Sequence, residues 1–200
     1  MGLREEMTEF VRGAVFPAVT LPRSIPQRSI RTDIVTTLPV TPMDGDEVHY
    51  LADATSGVIW HLRYRWDSTS VYKWEFVGGR PLYAEVTTSE STTSTSYTNL
   101  ATTGPEIALP LAGDYDVAFG AAFSTNAEIG LMSYAIGGTA AVDADSVRIG
   151  PADADQGSHS RMRRKAGLTA VTLTAKYRSF GGASVTCLDR WMAVTPVRVG

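Results

Sequence analysis

The chain has 200 residues, of which 44% are hydrophobic and 20% charged, and 18 Lys and Arg against 21 Asp and Glu give a formal net charge of −3. This composition predicts a globular protein, and the absence of a basic surplus argues against nucleic acid as a partner. The single cysteine, Cys187, excludes an internal disulfide or a Cys-based zinc cluster, and no apolar run reaches the ~20 residues of a membrane-spanning helix.

Residues 1–42 are predicted to anchor the chain to a neighbour. Apolar residues over 3–15 recur at helical spacing, and Pro17 would end such a helix. A helix this short is marginal in water, so we expect it to dock on another protein. Five prolines over 17–42 then favour an extended arm, because proline fits neither a helix interior nor a central strand. The predicted anchoring residues are Leu3, Met7, Phe10, Val11, Arg23, Arg28 and Arg31.

Residues 43–86 predict a small antiparallel β module rich in aromatic side chains. EVHYLAD reads as a first strand, and VIWHLRYRW and VYKWEFV read as a hairpin closed by the polar turn at 67–70. A period of two places seven large groups on one face of this sheet: Trp60, Leu62, Tyr64, Trp66, Tyr72, Trp74 and Phe76. We interpret this face as the core of the module, and the alternative is a platform on which sugars or peptides stack.

The remainder is predicted to be a polar linker followed by a jelly-roll-type β-sandwich. Ser and Thr dominate 87–96, and strand-length runs separated by turn residues fill 97–200. The sequence RSFGGAS predicts a hairpin connection in which Gly181 and Gly182 allow positive φ. Broken alternation at Asp189 and Arg190 predicts a β-bulge. Cys187 lies within an apolar run, which favours a buried thiol.

Motifs for catalysis, phosphate binding and dinucleotide binding are absent from the sequence, and we predict that the protein is not an enzyme and holds no cofactor. Glu75 and Glu85 could form a carboxylate pair for glycoside hydrolysis, but nothing distinguishes them from other acids. His49 and His61 could be neighbours on paired strands, yet a zinc site usually needs a third ligand. We therefore predict solvent-facing histidines and no metal site.

An acidic segment precedes a basic one in the C-terminal part. The acidic segment, DADSVRIGPADAD, could offer oxygen ligands to calcium, although its spacing does not match an EF-hand loop; its carboxylates are Asp143, Asp145, Asp153 and Asp155. The basic segment holds Arg161, Arg163, Arg164 and Lys165. Without interleaved aromatic residues these cations are a weak indication of nucleic-acid binding. We predict instead that they pair with the acidic loop of the same or an adjacent subunit.

From Leu38 onward the sequence resembles structural proteins of tailed bacteriophages. The most specific stretches are WHLRY and YKWEFVGGRPL, preceded by the turn sequence DGDE. The closing segments LTAVTLTAKYRS, GGASV and DRWMAVTPV look like the jelly roll that ends such chains, although this similarity is looser. The resemblance carries no catalytic residues.

The resemblance implies a virion component, such as a tail fibre, minor tail protein or head fibre, assembled in the bacterial cytoplasm. It also implies a homo-oligomer, commonly a trimer, that contacts capsid, neck or tail proteins. The alternative is a module that binds a host glycan or receptor, for which Tyr134 and Trp191 are the candidate ligand-facing aromatic residues. A third hypothesis, a hydrolase of cell-surface polymer, has only the acidic residues in its favour.

Overall fold

The computed structural model describes residues 30–125, 128–150 and 156–200. Within these ranges the chain is all-β, as predicted, with thirteen strands and one short 3-10 turn at Asp143–Asp145. No helix in the described ranges is long and apolar enough to cross a membrane. The strands are β1 Ile30–Val35, β2 Glu47–Asp53, β3 Val58–Tyr64, β4 Trp74–Gly79, β5 Leu82–Val86, β6 Glu90–Thr92, β7 Glu106–Ala108, β8 Gly113–Thr125, β9 Gly130–Ile136, β10 Val147–Ile149, β11 Gln156–Leu168, β12 Thr172–Ser179 and β13 Val185–Val199.

The predicted N-terminal helix lies outside the described residues, and so do six of the seven predicted anchoring residues. These are Leu3, Met7, Phe10, Val11, Arg23 and Arg28. The seventh, Arg31, belongs to β1, which pairs in parallel with β2. Part of the predicted arm therefore joins a sheet. A strand is compatible with this part of the arm because no proline occurs between Pro26 and Pro39.

A nine-stranded sheet is organised around β13. Its main path runs β1-β2-β3-β4-β13-β8-β11, and β5 and β6 also pair with β13. Three strands pair in succession with one side of β13, in the order β6, β5 and β4. The other side of β13 pairs with β8. The predicted linker, 87–96, contains β6, and the predicted module, 43–86, contributes β2 to β5. The proposed division into domains stays a prediction, but hydrogen-bonded strands connect its parts.

The second sheet has four strands in the order β10-β9-β12-β7. It packs against the first, and alternate residues of β8 fill the space between them because one face of that strand points inward. Tyr115, Val117, Phe119, Ala121 and Phe123 are all fully buried. Burying each large apolar side chain contributes about 1.5–3 kcal/mol. The all-β architecture with two packed sheets is thus present, and the specific jelly-roll assignment remains a prediction.

The predicted aromatic face is largely buried. Trp60 and Leu62 are 0% exposed and Trp74 is 3% exposed, while Tyr64 and Phe76 pack against the same core. The prediction was wrong for Trp66, which is 71% exposed. Strand β3 ends at Tyr64, so the alternation that points Trp60 inward does not continue to Trp66.

The C-terminal predictions had mixed outcomes. The predicted bulge is confirmed, because the pairing of β13 with β8 shifts register between Cys187 and Arg190, and Cys187 is buried as predicted. Gly182 has φ +93°. The predicted hairpin is wrong, because β12 and β13 belong to different sheets. The connection RSFGGAS therefore crosses between sheets.

Candidate functional site

The outer face of β2 and β3 carries a cluster of four polar side chains, which we call the histidine cluster: Glu47, His49, His61 and Arg63. His49 and His61 lie directly opposite each other on the two strands, as the sequence suggested, and their ring centroids are 5.1 Å apart. Glu47 joins the cluster through one oxygen 2.8 Å from His61 Nε2 and the other 2.8 Å from Arg63 Nε.

The charge state of Glu47 follows from these contacts. Partial burial alone would raise the pKa of the Glu47 carboxyl. The hydrogen bonds and charges of Arg63 and His61 outweigh that effect and lower the pKa below its ordinary value of 4.5. Glu47 is therefore an ionised acceptor held between two donors at neutral pH.

Three of the four cations in the basic segment contact the acidic loop of their own chain, which confirms the same-subunit form of that prediction for them, whereas Arg164 pairs with Asp116 of β8. Lys165 forms an ion pair with Asp145. Arg161 Nη1 donates to the Ser146 carbonyl at 2.8 Å, and Arg163 Nη2 donates to the Ala144 carbonyl at 2.6 Å. These contacts hold the acidic loop against side chains of β11, the outer strand of the larger sheet.

The carboxylates considered as calcium ligands are engaged by cations where the structure describes them. Asp143 accepts from Arg178 Nη2 at 2.6 Å and from the Tyr97 hydroxyl at 2.9 Å, and the Arg178 hydrogen bond, more than Tyr97, lowers the pKa of Asp143. Burial and the same carboxylate raise the pKa of Tyr97 to about 12. Asp153 and Asp155 lie outside the described residues.

Sequence reasoning missed one buried charged pair. Arg190 is 1% exposed, its Nη1 donates to Glu90 at 3.0 Å, and its guanidinium lies 5.3 Å from the centroid of the Tyr177 ring. Glu90 also accepts from the backbone NH and the hydroxyl of Thr102. Burial would raise the pKa of Glu90, but these hydrogen bonds and Arg190 lower it. The pair joins β6 and β13.

The candidate ligand-facing aromatic residues differ in their surroundings. Tyr134 is 2% exposed, and its ring meets that of Phe119 edge to face at 5.0 Å. The prediction that Tyr134 faces a ligand is therefore wrong, because its side chain packs against β8 of the other sheet and the neighbouring residues of β9 are buried as well. Trp191 is half-buried against Gly120, and its role in binding stays a prediction.

Other exposed aromatic side chains include Trp66, which the sequence placed on the buried face, and Tyr83, for which it made no prediction. Trp66 is 71% exposed and Tyr83 55% exposed. Tyr83 borders a depression of about 240 Å³ between β5, β7 and the end of β2, where Asp53 and Glu106 supply carboxylates. This volume is below the roughly 300–1,000 Å³ usual for ligand pockets.

The carboxylate pair considered for glycoside hydrolysis is not brought together. Glu75 lies opposite Arg198, and Glu85 lies opposite Trp191. Those partners are seven positions apart on β13, which corresponds to about 23 Å along an extended strand. Carboxyl groups in glycosidases stand about 5–10 Å apart. Glu75 and Glu85 therefore do not form such a pair.

Across the part of the chain that the structure describes, no three His, Cys, Asp or Glu side chains form a group arranged to enclose a metal ion. The histidine cluster nevertheless brings two imidazoles and one carboxylate together on the neighbouring strands β2 and β3.

Comparison with known proteins gives no family. No protein-family model matches the chain, and no curated protein matches it. A δ-endotoxin structure, Cry8Ea1 from Bacillus thuringiensis, aligns over 61% of this chain and 20% of its own with 21% identity and a TM-score of 0.30. The structure of infectious bursal disease virus, Gx strain, aligns over 69% of this chain and 40% of its own with 12% identity and a TM-score of 0.33. Such low scores define neither a family nor a function.

Proposed function

We propose that the chain is a structural, non-enzymatic component of a tailed-bacteriophage virion, in the position of a fibre, minor tail protein or head-decoration protein. Residues 1–42 attach it to capsid, neck or tail proteins, and the β-sheets form the part that is presented and that oligomerises, as a homotrimer. The proposal rests on the sequence resemblance from Leu38 onward and on one structural observation, the burial of the aromatic face.

The buried face supports a scaffold because its rings are used within the chain itself. Trp60 packs against Tyr115 of β8 with centroids 6.3 Å apart, and its Nε1 donates to the Arg80 carbonyl at 3.1 Å. Tyr64 and Trp74 meet edge to face at 5.4 Å. Trp60 thus packs the module against β8, and neither Trp60 nor Trp74 is exposed enough to stack on a sugar.

The outer strand of the larger sheet supports self-association. Among the described strands, β11 pairs only with β8 along its 13 residues. An edge strand of this length presents unpaired backbone groups that favour pairing with another chain. Met162, near its middle, is 65% exposed. We place one contact between copies along this edge.

Two measurements on the full chain test the proposal. Light scattering after size exclusion is expected to give three times the chain mass, and Met162→Glu is expected to reduce it, while Val142→Glu, at another exposed apolar residue, leaves it unchanged. A monomeric wild type would contradict the trimer.

Gold-labelled antibody against the chain should decorate particles of the phage that encodes it. If the antibody labels neither intact nor disrupted particles, the virion role is contradicted.

A second candidate function, binding of a host glycan, is favoured by the exposure of Trp66 and Tyr83. An exposed indole can stack on a sugar ring. A glycan array probed with the full chain should then give signals that Trp66→Ala abolishes. Signals that persist in Trp66→Ala and Tyr83→Ala, or their absence in wild type, would contradict this function at these residues.

A further inference from the structure

The histidine cluster places two imidazole rings side by side on paired strands. His49 and His61 occupy directly opposed positions on antiparallel strands, where β-carbons approach within about 4.5–5.5 Å. Their ring centroids are 5.1 Å apart and the rings are tilted by 56°. Two imidazoles at this separation can direct one nitrogen each to a single ion. Both side chains are only partly buried, so an ion can reach them from solvent.

Glu47 provides the orienting contact that metal-binding histidines typically have. Its carboxylate lies 2.8 Å from His61 Nε2, where it can accept an Nε2–H, and the tautomer with that hydrogen bond leaves its lone pair on Nδ1 for a metal ion. A carboxylate in this position fixes the tautomer and makes the other nitrogen a stronger ligand. Glu47 is itself held by Arg63 Nε at 2.8 Å, and its side chain is 14% exposed.

We propose that His49 and His61 bind a divalent first-row transition cation on the outer face of β2 and β3, with Glu47 as the positioning residue for His61. Imidazole suits Cu²⁺, Ni²⁺ and Zn²⁺, and the expected order of affinity places Cu²⁺ first. The remaining coordination positions face solvent and are filled by water. The bound ion would join β2 to β3 and so stabilise the folded chain.

The charges around the cluster set the selectivity of this site. Arg63 is a fixed cation beside the proposed site, and the Glu47 carboxylate, which lies between Arg63 and His61, would offset its repulsion of a bound ion. Neutral imidazoles and a single orienting carboxylate are a poor ligand set for Ca²⁺ or Mg²⁺, which prefer several oxygen ligands. The site should therefore discriminate strongly between Cu²⁺ and Ca²⁺.

The test uses the untagged full chain, CuSO₄, NiSO₄ and CaCl₂. Calorimetry should show one Cu²⁺ bound per chain at this site, and the electron paramagnetic resonance spectrum should show two coordinated imidazole nitrogens. His49→Ala and His61→Ala should each remove that two-nitrogen signature. His159→Ala is the matched control, because His159 is exposed on β11 away from the cluster. This variant should keep the two-nitrogen signature. Glu47→Gln should weaken Cu²⁺ binding by about 10-fold or more.

Stability of each variant without metal is measured in parallel, so that loss of the fold is distinguished from loss of ligands. Cu²⁺ should raise the melting temperature of wild type and of His159→Ala but not of His49→Ala. The proposal is overturned if folded His49→Ala and wild type bind Cu²⁺ equally, if the spectrum shows a single imidazole nitrogen, or if CaCl₂ competes with CuSO₄ on equal terms.

Discussion

The aromatic face of β3 and β4 and the polar edge formed by β11 are stabilised in different ways. In the first, neutral rings such as Trp60 are removed from water altogether. In the second, long cationic side chains lie along the surface and reach carboxylates and carbonyls, as Arg164 does with Asp116 at 2.5 and 2.9 Å. Burial of apolar surface is worth kilocalories per residue, while exposed ion pairs contribute about 0–1 kcal/mol.

This contrast predicts where substitutions matter. Substitutions on the buried aromatic face should destabilise the chain strongly, and substitutions on the polar edge should remove surface ion pairs with little loss of stability. The pair Glu90 and Arg190 is intermediate, since it is ionic but buried. The free energies of unfolding of variants in these three regions show how much each region contributes to stability.

The largest effect is expected for Trp60→Ala. Removing a fully buried tryptophan lowers the free energy of unfolding by about 3–5 kcal/mol, because a cavity remains where the ring met Tyr115. Trp66→Ala is the matched control, and its exposed ring should contribute within about 0.5 kcal/mol. Urea unfolding followed by circular dichroism measures both. Equal losses in the two variants would contradict the burial of the aromatic face.

A somewhat smaller loss in the free energy of unfolding is expected for Glu90→Gln. Arg190, whose side chain is 0% exposed, would then be a buried cation without its carboxylate, and breaking such a pair costs about 3 kcal/mol. The double variant Glu90→Gln/Arg190→Met should recover much of this loss because it removes the unpaired charge. A double variant less stable than Glu90→Gln would contradict the attribution of the loss to an unpaired buried charge.

A loss of about 1–3 kcal/mol is expected for Gly120→Ala, an overpacking substitution. A β-carbon at Gly120 would lie 2.7 Å from the His159 carbonyl oxygen and 3.0 Å from Trp191 Cε2. Gly78→Ala is the control, because a β-carbon there meets nothing within 4 Å. Thermal unfolding of the two variants should differ accordingly. Equal melting temperatures would show that β8, β11 and β13 are less closely packed than described.

Acid should destabilise the chain through Glu128. Its carboxylate accepts backbone hydrogen bonds from Ile129, Gly181 and Ala183, which lower its pKa below 4.5. The stabilising contribution is therefore complete above pH 4.5 and is lost as pH falls through the folded-state pKa. Urea midpoints at pH 7, 5 and 3 should fall less steeply for Glu128→Gln than for wild type. Parallel curves would contradict this assignment.

The smallest effect is expected for Asp116→Asn at the polar edge. Arg164 is 57% exposed in its ion pair with Asp116, so the loss should stay below about 1 kcal/mol and shrink further in salt. Chemical unfolding at low and high ionic strength measures it. A loss as large as that of Glu90→Gln would mean that this edge contributes to the core.

Hydrophobic alternation made part of this structure predictable. It placed β2 over the residues 47–53 and pointed Trp60 and Trp74 inward, since period and face are local properties. The strand β11 was missed because its run of cations has no apolar alternation, and its pairing with β8 is decided by residues some forty positions away. The inward turn of Arg190 at the bulge and the burial of Tyr134 depend on sheet order, which local patterns do not encode.

Fluorescence quenching of the full-length variant Trp66→Phe/Trp191→Phe tests the central claim most directly, because only Trp60 and Trp74 then emit. If these indoles belong to the core, iodide should leave their emission almost unchanged in the native state and quench it strongly after unfolding in urea. Strong quenching of the native protein would place the rings in contact with solvent and contradict the scaffold role.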